Sequence, residues 1–284
     1  MSSEISVAGN METIRTIFRQ VQDTFSGSAD MALLHSFEED FRGIAYEAAS
    51  MGLALADLKA GEELRNWNNF FQTQGRGYGI QIHIGLGWAL AQEQIDPAPF
   101  LPPLQPILRY RVLDGYGYYE GTFRKRKSVL SQQGLNLPDA TATGAYYQGL
   151  GRSLWYTCGA KAEEVKQAID KFPAERQRDL WRGAGIAVAY VGGASEPLLQ
   201  SVLTAAHTYH AALKAGAVMA LVSREQANFI MPDTALCCNT WTGKTATDLL
   251  SINRQLLSEI SLNAPNAYAW WIEKLEGCLG LTTA

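Results

Sequence analysis

Glu120 and Arg152 stand at positions where the rest of the chain places apolar or aromatic side chains. A charge in an apolar slot is costly unless it is paired or used. A buried carboxyl such as Glu120 would have its pKa raised and could act as a general acid or base. A guanidinium such as Arg152 could hold a carboxylate or stabilise developing negative charge. Near them in sequence or repeat position are Trp88, Tyr118, Tyr119, Trp155, Tyr156 and Tyr190, rings suited to binding an unsaturated apolar molecule. The same two charges could also pair with each other as a structural ion pair.

These positions are defined by an internal repeat. Four glycine pairs recur, Gly85-Leu86-Gly87, Gly115-Tyr116-Gly117, Gly149-Leu150-Gly151 and Gly183-Ala184-Gly185, at spacings of 30, 34 and 34 residues. "AGAVMALV" (215–222) is a weaker fifth copy and "RGIAYEAASMGLAL" (42–55) a candidate earlier one. Counted from each first glycine, the third residue on is Trp88, Tyr118, Arg152 or Ile186, and the fifth is Leu90, Glu120, Leu154 or Val188. The seventh is Gln92, Thr122, Tyr156 or Tyr190. A period in the low thirties with helical patterning indicates stacked helix pairs. Each unit is expected to hold a glycine-bearing inner helix, a turn and a more charged outer helix. Glycine inside a helix costs roughly 1 kcal/mol against alanine, so its repetition points to close neighbours on both faces, the alternative being that these glycines are helix caps or turns.

The expected fold is therefore all-α, stacked helix-pair repeats forming a curved solenoid-like or closed domain, with strand content below about a tenth. Residues 1–30 are expected to be a partly helical N-terminal segment and 31–284 one repeat domain. A Pro-rich connection spans 96–106. "YGIQIHIG" (78–85) alternates like a strand, yet Ile80, Ile84 and Trp88 keep helical spacing, and helix is expected.

Composition narrows the function classes. A net charge of −4 offers no field for nucleic acid or anionic membrane. The run Arg124–Lys127 reads as a solvated helix end. No signal peptide or transmembrane helix is expected at the N-terminus or elsewhere, and Cys158, Cys237, Cys238 and Cys278 read as reduced thiols, so the expected compartment is the cytoplasm. His207 and His210 sit three apart with no third ligand near in sequence, and no metal site is expected. "WTGKTATD" (241–248) lacks phosphate-loop spacing, and no cofactor is expected. His83 reads as a core histidine, and nucleophilic roles for Cys237 or Cys238 lack a visible base.

At "VLDGYGYYEGTFRKRK" (112–127), "GLGRSLWY" (149–156), "FPAERQRDLWRGAGIAVAYVGG" (172–193) and "MPDTALCCNTWTGKTATDLL" (231–250) the chain resembles a domain family of unknown function found in enediyne antibiotic gene clusters. The resemblance covers roughly residues 30 to 280. It implies a part in building a polyketide-derived natural product beside an iterative polyketide synthase, and it carries over no catalytic residues. The expected activity is cofactor-independent cyclisation or isomerisation of a polyene or polyketide intermediate. The alternative is a non-catalytic helical scaffold that holds a partner enzyme or a reactive intermediate.

Overall fold

The computed structural model describes residues 6–25 and 30–280. Residues 1–5, which belong to the stretch expected to hold no signal peptide, lie outside the described residues, as do 26–29 before the expected domain start and 281–284. The described residues form fourteen α-helices and no strand. They begin with α1 (Val7–Phe25), α2 (Met31–Ser36), α3 (Glu39–Ala60), α4 (Arg65–Thr73) and α5 (Gly79–Gln92). There follow α6 (Pro106–Phe123), α7 (Ala140–Thr157), α8 (Ala162–Ile169), α9 (Ala174–Val191) and α10 (Glu196–Ala206). The chain ends in α11 (His210–Gln226), α12 (Pro232–Thr242), α13 (Ala246–Ser258) and α14 (Ala267–Gly280). The alternating stretch 78–85 is thus helical from Gly79 onward, because burial on all sides of α5 makes every position apolar-tolerant and erases the usual period.

Six of these helices, α3, α5, α6, α7, α9 and α11, pack side by side in chain order, and the glycine pairs are the reason they can. In each pair the first glycine meets the helix before it and the second the helix after it. A Cβ on Gly149 would overlap the Asp114 carbonyl of α6, and one on Gly151 the Leu180 carbonyl of α9. The contacts are reciprocal: Gly117 faces the Tyr146 carbonyl while Gly149 faces Asp114, and Gly151 faces Leu180 while Gly183 faces Gln148. Each carbonyl belongs to the residue three before the facing glycine. This is the arrangement in which backbones approach closely enough for Cα–H groups to point at carbonyl oxygens.

The same geometry extends the repeat to both ends. Gly216 of α11 faces the Arg182 carbonyl as a first glycine does. In α3, Ala48 and Ser50 take the two glycine positions. Gly85 faces the Glu47 carbonyl, and the Ser50 hydroxyl donates to the Ile82 carbonyl at 2.6 Å. Gly121 of α6 meets Ser153 of α7, both beyond their glycine pairs, and Gly144 of α7 meets Asp179 of α9, both before theirs. Neighbouring inner helices therefore run in the same direction, and the chain returns outside them.

The expected outer helix is present in only part of the structure. Helices α4, α8 and α10 supply it between α3 and α5, α7 and α9, and α9 and α11. Between α5 and α6 the return is the Pro-rich segment with one short 3₁₀ turn, and between α6 and α7 a loop with one π-helical turn at Arg126–Leu130. Five prolines between 96 and 106 deny that segment amide donors, which prevents a regular helix there. The inner helices curl until the last meet the first. Gln81 Nε2 of α5 donates to Ser223 Oγ of α11 at 2.6 Å and to Tyr190 Oη of α9 at 3.2 Å, and Arg224 Nη1 donates to the Asp40 carbonyl at 2.5 Å. Helix α1 shares the core: Val21 and Phe25 are fully buried, and Gly52 of α3 lets its backbone approach.

Candidate functional site

A cavity of about 600 Å³ opens between the early and middle turns of α3 and the later turns of α5, α6 and α7, with α1 laid across it. That volume falls in the range of small-molecule sites. The repeat explains its walls. Residues three and seven positions after the first glycine lie one helical turn apart and share a face. Trp88, Tyr118 and Arg152 from the third position, with Gln92, Thr122 and Tyr156 from the seventh, all line the cavity. Trp88 is the hub of an aromatic cluster, its ring 4.7 Å from Phe18, 4.8 Å from Tyr118, 5.6 Å from Tyr119 and 5.7 Å from Phe123. Phe123 is 61% exposed and marks the mouth. The buried Trp88 Nε1 has no hydrogen-bond partner among the described residues, leaving a donor for a ligand's polar atom.

The deep end is polar. The Arg152 guanidinium lies over the Tyr118 ring at 4.5 Å, and its Nη1 donates to Asp114 Oδ1 of α6. Gln148 Nε2 donates to the other Asp114 oxygen. Tyr118 and Tyr156 share a side-chain hydrogen bond, and burial pushes the Tyr156 hydroxyl up to about 12, so both phenols stay protonated at neutral pH. Beside Arg152 stands Glu47 of α3, 3% exposed. Glu47 and Arg152 also wall a second, much smaller chamber of about 20 Å³, lined further by Gln81, Arg111, Asp114 and Tyr190. Its size suits one water molecule.

Burial raises the Glu47 carboxyl to about 7, against the partial counter-pull of Arg152 and with a further push from Asp114. The folded protein therefore holds this proton over a pH range in which the unfolded chain releases it. Its contribution to stability is fully present below the usual carboxylate value near 4.5 and is lost as pH rises through about 7. Glu47→Gln removes that loss. It should match the wild type at about pH 4 and exceed it at pH 8 by on the order of 3 kcal/mol. Denaturant melts of the two proteins at both pH values check this; an equal difference at the two would mean that Glu47 titrates normally.

Of the two charges singled out by the repeat, only Arg152 reaches the cavity. Glu120 is 1% exposed, but it accepts from Arg124 Nη1 at 2.6 Å and lies 3.6 Å from Lys127 Nζ. The two charges thus do not pair with each other. Glu120 follows Tyr118 by two residues, a rotation of about 200° on a helix, so it points away from the face that Tyr118 presents. Trp155 is likewise turned into the core, 1% exposed and absent from the cavity wall, and Tyr190 lines only the small chamber. The basic run is not simply solvated: Arg124 is half-buried and donates to the Ala91 and Gln92 carbonyls, closing the C-terminal end of α5. His83 is buried with Nδ1 2.7 Å from the Gly79 carbonyl, and burial depresses it to about 4. Cys237 and Cys238 are buried with their pKa values raised, which disfavours the thiolate. Among the described residues no group of three or more His, Cys, Asp or Glu is placed to hold a metal ion.

A family profile described as "Protein of unknown function (DUF1702)" matches residues 17–277. The chain belongs to the DUF1702 family. No curated protein and no solved structure matches it. The DUF1702 match takes in α3, α5, α6 and α7 whole, and so Glu47, Asp114 and Arg152, while Met11, Ile14 and Arg15 of the cavity wall precede it.

Glu47 and Asp114 are the deep-end residues of this DUF1702 chain that the sequence pattern did not single out. The signal was there but faint. Glu47 precedes Ala48 as Asp114 precedes Gly115, Gln148 precedes Gly149 and Arg182 precedes Gly183. The position before the first glycine is thus polar in four inner helices, and it faces inward. Because Ala48 and Ser50, not glycines, stand at the two repeat positions of α3, the register could not be counted to Glu47.

Proposed function

We propose that this DUF1702 protein binds a hydrophobic, unsaturated polyketide-derived intermediate in the aromatic cavity and promotes its isomerisation or cyclisation by proton transfer. The observation that carries the reading is a buried carboxyl, Glu47, set beside Arg152 at the polar end of a chamber whose wall also holds Phe18, Trp88, Tyr118, Tyr119 and Phe123. Protonated Glu47 delivers its proton to a carbon at the polar end of a conjugated chain, and the carboxylate left behind takes a proton from a neighbouring carbon of that end. Double bonds move, or one π bond is exchanged for a ring C–C bond, with no net gain of atoms or electrons. Arg152 steadies the charge that develops on a carbonyl or enolate oxygen. The resemblance to enediyne-cluster proteins supports a place in antibiotic biosynthesis, and the free cysteines support the cytoplasm. Among the described residues no helix is long and apolar enough to cross a membrane.

The test is deletion of the gene from a producing strain with metabolite profiling. A linear polyene should accumulate, complementation with Glu120→Gln should restore product, and complementation with Glu47→Gln should fail. An unchanged profile overturns the reading. Full restoration by Glu47→Gln would favour the second reading, a chaperone that holds a reactive intermediate, which the exposed Phe123 at the mouth also supports.

A further inference from the structure

The charges around the deep end do not balance when Glu47 is protonated. Arg111 of α6 is 4% exposed, forms no ion pair among the described residues, and leaves its Nε without a hydrogen-bond partner. Its guanidinium rests instead over the Tyr268 and Trp271 rings at 5.3 and 5.6 Å. Arg111 and Arg152 share the small chamber with Asp114 and Glu47. Two buried cations therefore face one fixed anion, Asp114, and one carboxyl that can be neutral. The Arg152 Nε is buried and also unpartnered. Of the other ionisable groups around Glu47, Tyr118, Tyr156 and Tyr190 are phenols. Of the exposed α1 arginines at the cavity's edge, Arg15 is paired with Glu12 at 3.2 Å and Arg19 adds positive charge, while the α5 part of the wall, Trp88 and Gln92, carries none.

Resting on the reading of the cavity as a site for an unsaturated apolar ligand, we infer that the ligand is an anion that enters head-first, a long-chain polyene carboxylate whose head group sits between Glu47 and Arg152, and that Glu47 takes up a proton as it binds. The carboxylate supplies the missing negative charge at Arg152, which leaves Asp114 to face Arg111 across the small chamber. It would repel an ionised Glu47, so the proton moves from solvent to Glu47, and the acid then donates a hydrogen bond to the head group. The hydrocarbon follows the rings of Tyr118 and Trp88 out toward Phe123. Burial that already raises the Glu47 carboxyl to about 7 makes the uptake easy from slightly alkaline solution.

The probes are cis-parinaric acid, a conjugated tetraene fatty acid, and its methyl ester. Binding to the full chain is read by polyene fluorescence and by energy transfer from tryptophan, and protons are counted by calorimetry near pH 8 in buffers of different ionisation enthalpy. The acid should bind at least about tenfold tighter than the ester, with uptake of close to one proton per site. Glu47→Gln should keep the acid bound and abolish the uptake. Equal binding of acid and ester, no uptake by the wild type, or uptake that persists in Glu47→Gln would each overturn the head-group assignment while leaving the cavity as an apolar site. Binding of neither probe would overturn both the assignment and the reading of the cavity beneath it.

Discussion

Gly151→Ala should destabilise the protein by at least about 3 kcal/mol, more than a single added methyl group ordinarily costs in a core. The added Cβ would fall on the carbonyl of Leu180, and Leu180 Cα and C crowd it too. These are backbone atoms of α9, which cannot swing aside as the end of a flexible side chain can. Relief requires α7 and α9 to move apart, and that also loosens Gly183 against Gln148 on the other side of the same contact. Gly185→Ala, against the Leu213 carbonyl of α11, should behave the same way. Gly277 is the control. It too lies inside a helix, α14, but it is exposed and an added Cβ would meet nothing within 4 Å. Gly277→Ala should stabilise by about 0.5–1 kcal/mol, since only the propensity difference remains. Urea titrations followed by far-UV circular dichroism measure all three. A Gly151→Ala protein within about 0.5 kcal/mol of wild type would mean that the paired helices are not in backbone contact.

Those glycines are also why so much of the fold was legible in the sequence. A cost repeated at a fixed period has to be offset by something periodic, and within a helix close packing is the benefit that glycine provides. The alternation of Gly85 and Gly87 even encodes which neighbour each one serves, since residues two apart lie on nearly opposite faces. The outer layer was less legible because nothing periodic marks it. Its segments have only to bring the chain back, and a Pro-rich loop returns as well as a helix does. The edges of the ring were faint for a related reason: α3 substitutes Ala48 and Ser50 for glycine, and Ser50 compensates by donating to the Ile82 carbonyl while accepting from Trp67 Nε1 at 2.8 Å.

The site was legible by position but not by partner. Counting from the first glycine placed Trp88, Tyr118, Arg152 and Tyr156 on one face, because the helical period fixes which positions share it. The same counting treated the fifth position as equivalent to the third, and so drew Glu120 in beside Arg152. Sequence spacing within a helix sets direction; it does not say which charges on different helices meet. That depends on the stagger between α6 and α7, which brings Arg152 against Asp114 rather than against Glu120.

That stagger makes Arg152→Met the sharpest single test of the site. The substitution leaves Asp114, 1% exposed, without its ion-pair partner and next to Glu47, so it should cost about 3–5 kcal/mol and abolish ligand binding together. Loss of binding alone could reflect a damaged fold, so the double change decides. Asp114→Leu combined with Arg152→Met removes both charges and should recover a large part of the lost stability, while binding stays absent because the cationic group that meets the ligand is gone. Gln148 still finds Tyr268 Oη at 3.3 Å and Arg182 Nε at 2.7 Å, while buried Arg111 keeps only Glu47 as an acidic neighbour in the small chamber, which leaves the recovery incomplete. Glu120→Gln combined with Arg152→Met should instead show simple additivity, since Glu120 engages Arg124 and not Arg152. Thermal melts give the stabilities and polyene fluorescence the binding. Rescue of stability by Glu120→Gln, or recovery of binding in the double variant that lacks both Asp114 and Arg152, would assign the buried guanidinium a different partner and a different purpose.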